Sequence, residues 1–275
     1  MTNLQTRTIT GAVYVLSVIL AIFLHPLVCF FYFFAVSMIG LWEFYHNSEK
    51  KNIHPNKYIG FALAIITYLS FGFTISSNIF ILLSLGLLLS LIILLFVAML
   101  VMELYRKESS PFTNISYTLL GIVYVVVPLA LTNIIIQIND YQPMILMSVF
   151  IFAWCNDTFA YLVGRKFGKH KLFERISPKK TWEGSIGGFL SVIIAAIVVA
   201  CFSKAIAWYD YVAIAIITSI VGTFGDLVES MFKRQMGVKD SGNILPGHGG
   251  ILDRFDILLL ALPVVTAYLL IIFLY

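Results

Sequence analysis

Charge is what this sequence has least of. Of its 275 residues, 12% are Asp, Glu, Lys or Arg, against roughly 25% in soluble globular domains. That shortage argues against an ordinary soluble domain, a disordered chain and a nucleic-acid-binding module. Cysteine is also scarce. Cys29, Cys155 and Cys201 stand singly in apolar runs, without metal-ligand spacing and without the density of a secreted disulfide scaffold, and they read as small core residues. Internal repeats, low-complexity tracts and heptads are missing too. What remains is apolar: 60% of the residues are hydrophobic and the mean hydropathy is +0.95. The apolar runs are continuous rather than alternating, which favours membrane-crossing helices over a transmembrane barrel.

The hydrophobic runs predict an all-α, polytopic membrane protein with about nine spans, at residues 9–24, 27–45, 58–75, 79–102, 116–136, 143–163, 186–208, 211–228 and 255–275. From Ile9 to Tyr45 the apolar stretch is broken only by His25-Pro26. As one helix it would be about 55 Å long against a hydrocarbon core of about 30 Å, so a hairpin is expected. A cleavable signal peptide is disfavoured, because only Arg7 precedes the first run and no small-residue cleavage site follows Leu24. Nine spans place Arg7, Lys50, Lys51, Lys57, Arg106, Lys107, Arg165, Lys166, Lys169, Lys171, Arg175, Lys179, Lys180, Lys233, Arg234, Lys239 and Arg254 on one face. Only Lys204 of the 18 basic residues lies on the other. The positive-inside rule makes the loaded face cytoplasmic, with the amino terminus inside and the carboxyl terminus outside. Residues 1–142 (spans one to five) are expected to form a lipid-facing scaffold. Residues 143–275, with two long cytoplasmic segments, are expected to be the catalytic region.

Carboxylates inside apolar spans cost about 2.5–3.5 kcal/mol at the centre on insertion scales, so they mark polar cavities. Asp157 lies in the cytoplasmic third of the sixth span, Asp226 in that of the eighth, and Asp256 opens the ninth, three residues after Asp253. Asp226, Glu229, Ser230 and Lys233 can share one helical face. Lys233 there is either a phosphate contact or the partner of Asp226 or Glu229 in an internal ion pair. Asp253 and Asp256 read equally as an N-cap with a capping-box partner or as metal ligands. Carboxylates beside Lys and Arg fit a metal–phosphate site better than a proton relay. Lys179 and Lys180, just before the seventh span, fit contact with a polyphosphate. The basic run 164–171 lacks Walker A spacing and also reads as a loop on anionic headgroups. The aromatic clusters at Phe30–Phe34 and Trp42–Tyr45 read as lipid-facing bulk and an interfacial belt. The four-residue spacing of Gly184 and Gly188 reads as close helix packing within the chain.

From Ser230 to Asp256 the chain runs SMFKRQMGVKDSGNILPGHGGILDRFD. This segment resembles the signature of the phosphatidate cytidylyltransferases, or CDP-diacylglycerol synthases, at every fixed position: Ser230, Phe232, Lys233, Arg234, Lys239, Asp240, Gly242, Leu245, Pro246, His248, Gly249, Gly250, Ile251, Asp253, Arg254, Phe255 and Asp256. Asn156-Asp157-Thr158, Gly164-Arg165 and Ser177 to Gly184 resemble the same family, so the likeness covers the chain from about Ala153 onward. The resemblance implies a transferase that makes CDP-diacylglycerol and pyrophosphate from CTP and phosphatidate; with no nuclear or organellar targeting segment evident, a bacterial-type inner membrane is the expected location. It also implies a homodimer, a need for Mg²⁺ with K⁺ as a second cation, and Asp226, Asp253 and Asp256 as the metal carboxylates.

The residues agree with that chemistry. A lipid phosphate already anionic at neutral pH needs no strong base, so catalysis rests on positioning and charge neutralisation. Asp226, Asp253, Asp256 and Lys233 are the expected catalytic set. Asp157, Lys179, Lys180, Ser230, Arg234, Lys239, His248, Gly249, Gly250 and Arg254 are the expected substrate contacts. His248 has a phosphate hydrogen bond, a structural loop role and, last, proton transfer open to it. Two other classes compete: another CTP-using membrane enzyme, such as a polyprenol kinase or an ether-lipid CDP synthase, and an ion-coupled transporter. The transporter lacks a midplane polar path and inverted repeats. The span count predicts that reporters fused to the two ends signal from opposite sides of the membrane; signals from the same side would make the count wrong by one.

Overall fold

The computed structural model describes residues 3–72, 79–138, 141–244, 246–247 and 249–274. Nine helices account for almost all of it: α1 (Asn3–Leu24), α2 (Pro26–Glu49), α3 (Lys57–Gly72), α4 (Ile79–Tyr105), α5 (Pro111–Gln137), α6 (Pro143–Phe167), α7 (Trp182–Phe202), α8 (Trp208–Met236) and α9 (Leu252–Leu274). Eight of them are long and apolar enough to cross a membrane, while α3 is a shorter apolar helix of 16 residues. The chain is a polytopic helical membrane protein. Residues 73–78, where the third expected span ends, lie outside the described residues.

Local chemistry sets the helix boundaries. Proline at the first helical position starts α2, α5 and α6, where its missing N–H costs nothing and its φ is already helical. His25 is extended and its Nδ1 accepts from Leu27 N–H at 3.2 Å, so the expected break falls there and α1 packs back on α2. Inside α5 the turn Ile122–Val126 widens to a π-helix just before Pro128, whose ring would otherwise meet the carbonyl four residues back.

Several boundaries depart from the hydrophobic runs. The seventh helix starts at Trp182, capped by Thr181 Oγ1 accepting from Gly184 N–H, and ends at Phe202 rather than 208. Ser203 and Lys204 interrupt the apolar run, Ser203 is extended, and the chain re-enters a helix at Trp208. Helix α8 runs eight residues past Val228, so Ser230, Lys233 and Arg234 are helical. A two-stranded antiparallel hairpin, β1 (Lys171–Phe173) with β2 (Ser177–Thr181), joins α6 to α7 where only a basic loop was expected.

The chain forms two compact units. One comprises Met1–Ile134 with Met236–Asp253; the other comprises Ile135–Gln235 with Arg254–Tyr275. In the first, the α2 aromatics are not simply lipid-facing. Phe33, Phe44 and Tyr45 are fully buried, and Tyr45 Oη donates to Thr118 O at 2.7 Å. Gly60 and Gly121 leave room for that ring, since a Cβ at either would lie within 2.7 Å of it. Phe31 and Trp42 do face outward. The run of aromatics therefore serves a core and a lipid surface on opposite helix faces, which hydropathy alone cannot separate.

In the second unit, glycine sets the helix spacing. A Cβ at Gly184 would stand 2.7 Å from Ala160 O, one at Gly187 2.6 Å from Val163, and one at Gly188 2.8 Å from Asn156 O. Helices α6 and α7 therefore pack backbone to backbone along this stripe, as small residues permit. Helices α8 and α9 do the same at Gly225, where a Cβ would be 2.6 Å from Asp256 O. The outer face of α7 carries Ile186, Leu190, Ile194 and Ile197, all exposed, as suits contact with acyl chains. Gly188→Leu is expected to force α6 and α7 apart and to cost about 1–3 kcal/mol as an overpacked core does. A thermal midpoint in detergent equal to wild type would show that the stripe does not set the spacing.

Candidate active site

Four of the expected residues, Asp157, Lys179, Lys180 and Asp226, line one cavity of about 570 Å³ in the second unit. That is within the ~300–1,000 Å³ typical of small-ligand sites. Helix α6 contributes Asn156, Asp157, Tyr161 and Arg165, and the hairpin contributes Lys171, Lys179 and Lys180. Helix α7 adds Gly184 and Ser185, α8 adds Thr223 and Asp226, and α9 adds Ile257.

The hairpin aims Lys180 at the cavity. Glu183, in the first turn of α7, turns back and accepts from Lys169 N–H at 3.0 Å and His170 N–H at 3.2 Å, while its Oε1 meets His170 Nδ1 at 2.6 Å. Trp182 N–H donates to His170 O at 3.0 Å. So stapled, β2 delivers Lys180 into an ion pair with Asp226. Ser230 Oγ donates to the other oxygen of Asp226 at 3.2 Å. The close approach at Gly225 brings Asp256 beside Asp226, and the charges of Asp226, Glu229 and Asp157 all act on Asp256. Lys180 and Arg254 act on Asp157 with the opposite sign. Lys233 pairs with Glu229, one of the two ion-pair partners open to it. Arg234 is exposed near the end of α8.

The remaining expected residues belong to the first unit, on the loop leading into α9. Asp253 Oδ2 accepts from Gly250 N–H at 2.8 Å, from Ser241 N–H at 2.8 Å and from Ser241 Oγ at 2.9 Å. It is thus a cap as well as a carboxylate in the first turn of α9. Gly249 has φ +84° and Gly247 φ +77°, a left-handed backbone that favours glycine. A Cβ at Gly250 would collide with Ser241 and Glu43. Lys239 is exposed, and His248 lies outside the described residues.

The donor chemistry fits a hard divalent cation held in part by the protein. Asp157, Asp226 and Asp256 offer oxygen ligands in one unit, and Mg²⁺ is commonly held by one or two carboxylates plus substrate phosphates. Among the described residues no three acidic, histidine or cysteine side chains gather into a complete metal-binding group. The Lys180 ammonium already sits against Asp226. This arrangement can bind polyphosphate through lysines and a cation through carboxylates, but it is no all-protein metal cage.

Comparison with known proteins reaches the same kind of chemistry. The sequence model of the Cytidylyltransferase family matches residues 5–272. Over 125 residues the chain is 50% identical to a phosphatidate cytidylyltransferase of Staphylococcus saprophyticus subsp. saprophyticus, covering 45% of this chain and 48% of that protein. A second, from Staphylococcus haemolyticus, has the same identity and coverage. One from Haemophilus influenzae is 44% identical over 124 residues, covering 43% of each chain. The chain thus spans about half the length of the curated relatives it matches.

Sequence reasoning passed over Glu43. It is fully buried in α2 and accepts from Ile251 N–H at 2.9 Å, Leu252 N–H at 3.0 Å and Ser241 Oγ at 3.0 Å. Asn47, one turn on, donates to Ser241 O at 2.6 Å. These bonds cap the positive end of α9 and hold the glycine loop. The available signal was a lone carboxylate in an apolar run, hidden because it sits within the Trp-Glu-Phe-Tyr cluster assigned to the interface. Asn156 and Ser219 were likewise uncoupled in the sequence, yet Ser219 Oγ donates to Asn156 Oδ1 at 2.7 Å. Glu43→Ala strands two backbone donors and a hydroxyl in a buried place, at about 1–3 kcal/mol for each unsatisfied group. The thermal midpoint of the purified variant should fall accordingly, and an unchanged midpoint would count against the clamp.

Proposed function

Because the chain belongs to the cytidylyltransferase family, we propose that it transfers the cytidylyl group of CTP to phosphatidate, giving CDP-diacylglycerol and pyrophosphate. The observation that carries this reading is the cavity in which Asp157, Lys179, Lys180 and Asp226 meet. An anionic nucleotide needs cations to enter, and a reaction that moves negative charge onto pyrophosphate needs them more in the transition state. The named relatives support phosphatidate as the acceptor.

In the proposed reaction a phosphate oxygen of phosphatidate attacks the α-phosphorus of CTP in line. One P–O bond forms to the lipid phosphate as the bond to the β-phosphate breaks, and pyrophosphate leaves with the electron pair. Lys179 and Lys180 hold the β- and γ-phosphates and offset the growing charge. Lys180 leaves Asp226 for the nucleotide, which frees that carboxylate. Asp226 and Asp256 would hold Mg²⁺, and from the sequence motif Asp253 is a further proposed metal carboxylate, with K⁺ as the second cation. Held there, Mg²⁺ would supply neutralisation of phosphate charge. Ser230 orients Asp226, and Arg254 balances Asp157. Lys233 tempers Glu229 so that repulsion around Asp256 stays bounded. From the sequence motif alone, Arg234, Lys239, His248, Gly249 and Gly250 are further proposed phosphate contacts, and both substrates are proposed to approach from the cytoplasmic face.

Asp226→Asn keeps the side-chain shape and removes the charge. Incorporation of labelled CTP into lipid should fall by about 100-fold or more, the scale of losing a principal electrostatic stabiliser. The variant should elute and melt like wild type. Full incorporation by a well-folded variant would refute the assignment.

A further inference from the structure

The cavity has two chemically different ends. Inside, Lys180 and Asp226 are held together with side chains only 24% and 19% exposed. At the rim Arg165, Lys171 and Tyr161 line the same cavity but are exposed. Arg165 Nη1 donates to Tyr161 Oη at 3.4 Å, which keeps the guanidinium beside that ring. Among the described residues neither Arg165 nor Lys171 is in ion-pair contact with a carboxylate, whereas Lys180 is. Beyond this rim the helices turn apolar, with Leu162 and Phe167 exposed on α6 and Trp182 and Ile186 exposed on α7.

A soluble triphosphate gains nothing from an apolar margin. A lipid phosphomonoester needs that margin. Its chains must stay on the greasy helix faces while its doubly charged headgroup reaches cations that have no partner to give up. Arginine offers a planar fork for two phosphate oxygens and lysine a mobile point charge.

We propose that Arg165 and Lys171 form the phosphomonoester subsite for the lipid substrate, with Tyr161 as its wall and the acyl chains leaving over α6 and α7. Lys180 stays with the nucleotide, and so does Lys179, which is exposed like the rim pair but adjoins Lys180 on β2. The assignment rests on the cytidylyl-transfer reading and adds to it which cations recognise which anion. It also makes a monoester headgroup preferred over a singly charged phosphodiester lipid.

The test uses the purified full chain in mixed micelles. It compares wild type with Arg165→Gln, Lys171→Gln and, as a control, Arg175→Gln, which removes a charge from the hairpin turn outside the cavity. Each rim variant should raise the apparent KM for phosphatidate about 10-fold, one charge-assisted contact of ~1.4 kcal/mol. The KM for CTP should stay within about twofold, and Arg175→Gln should leave both unchanged. In parallel, short-chain phosphatidate should raise the thermal midpoint of wild type but not of the rim variants, whereas CTP should raise it in all of them. A CTP KM that rises with the phosphatidate KM, an equal effect of Arg175→Gln, or unchanged constants in both rim variants would overturn the subsite. Phosphatidate stabilisation that the rim variants lose, in a wild-type protein that incorporates no CTP, would keep the subsite and sink the reaction.

Discussion

A carboxylate buried in an apolar helix is tolerable only where something neutralises it. Asp226 meets that demand through Lys180, a residue on no transmembrane helix at all. Much of the second unit follows from this one pairing. The hairpin must exist to project Lys180, and Glu183 must hold the hairpin. Gly184, Gly187 and Gly188 must let α7 lie close against α6 so that Asp157 shares the same cavity. The same pairing makes the site ready for anions. In the proposed reaction a polyphosphate arriving at Lys180 would exchange one negative partner for another, so the lysine would never be a bare buried charge and the freed carboxylate would be open to a cation.

The first unit solves a related problem at the start of α9. A helix beginning after a glycine loop leaves N–H groups unbonded, and here they are taken by two carboxylates, Glu43 from α2 and Asp253 from α9 itself. Ser241 lies between them and donates to both. The amino-terminal helices are therefore more than lipid-facing bulk, because α2 holds the loop carrying Gly249 and Gly250 in place. The left-handed backbone at Gly247 and Gly249 explains why that loop is glycine-rich independently of any phosphate.

Several features were legible from residue order because they depend on local chemistry. The break at His25-Pro26, the helical starts at prolines 111 and 143, and the acidic positions at 157, 226 and 256 are of this kind. Others were not legible, for identifiable reasons. The hairpin at 171–181 is too short and too polar to show a strand pattern. The end of α7 is marked only by the short break Ser203-Lys204, after which Ala205 to Trp208 restores the apolar character and masks the boundary over a longer window. Phe44 and Tyr45 look like their outward-facing neighbour Trp42, since a helix hydrophobic on all sides carries no signal of which face is core.

The order of residues alone determined that this chain is built from apolar helices able to cross a membrane several times, and that acidic residues interrupt them at 157, 226 and 256. Those conclusions follow from length, hydropathy and charge, which need no knowledge of neighbours. Only tertiary structure decided the long-range partnerships: Lys180 with Asp226, Ser219 with Asn156, and Glu43 with the start of α9. The partners stand between 46 and 209 positions apart. Such pairs are chosen by how closely helix backbones can approach, and glycine sets that distance without leaving a periodic trace in the hydrophobic pattern.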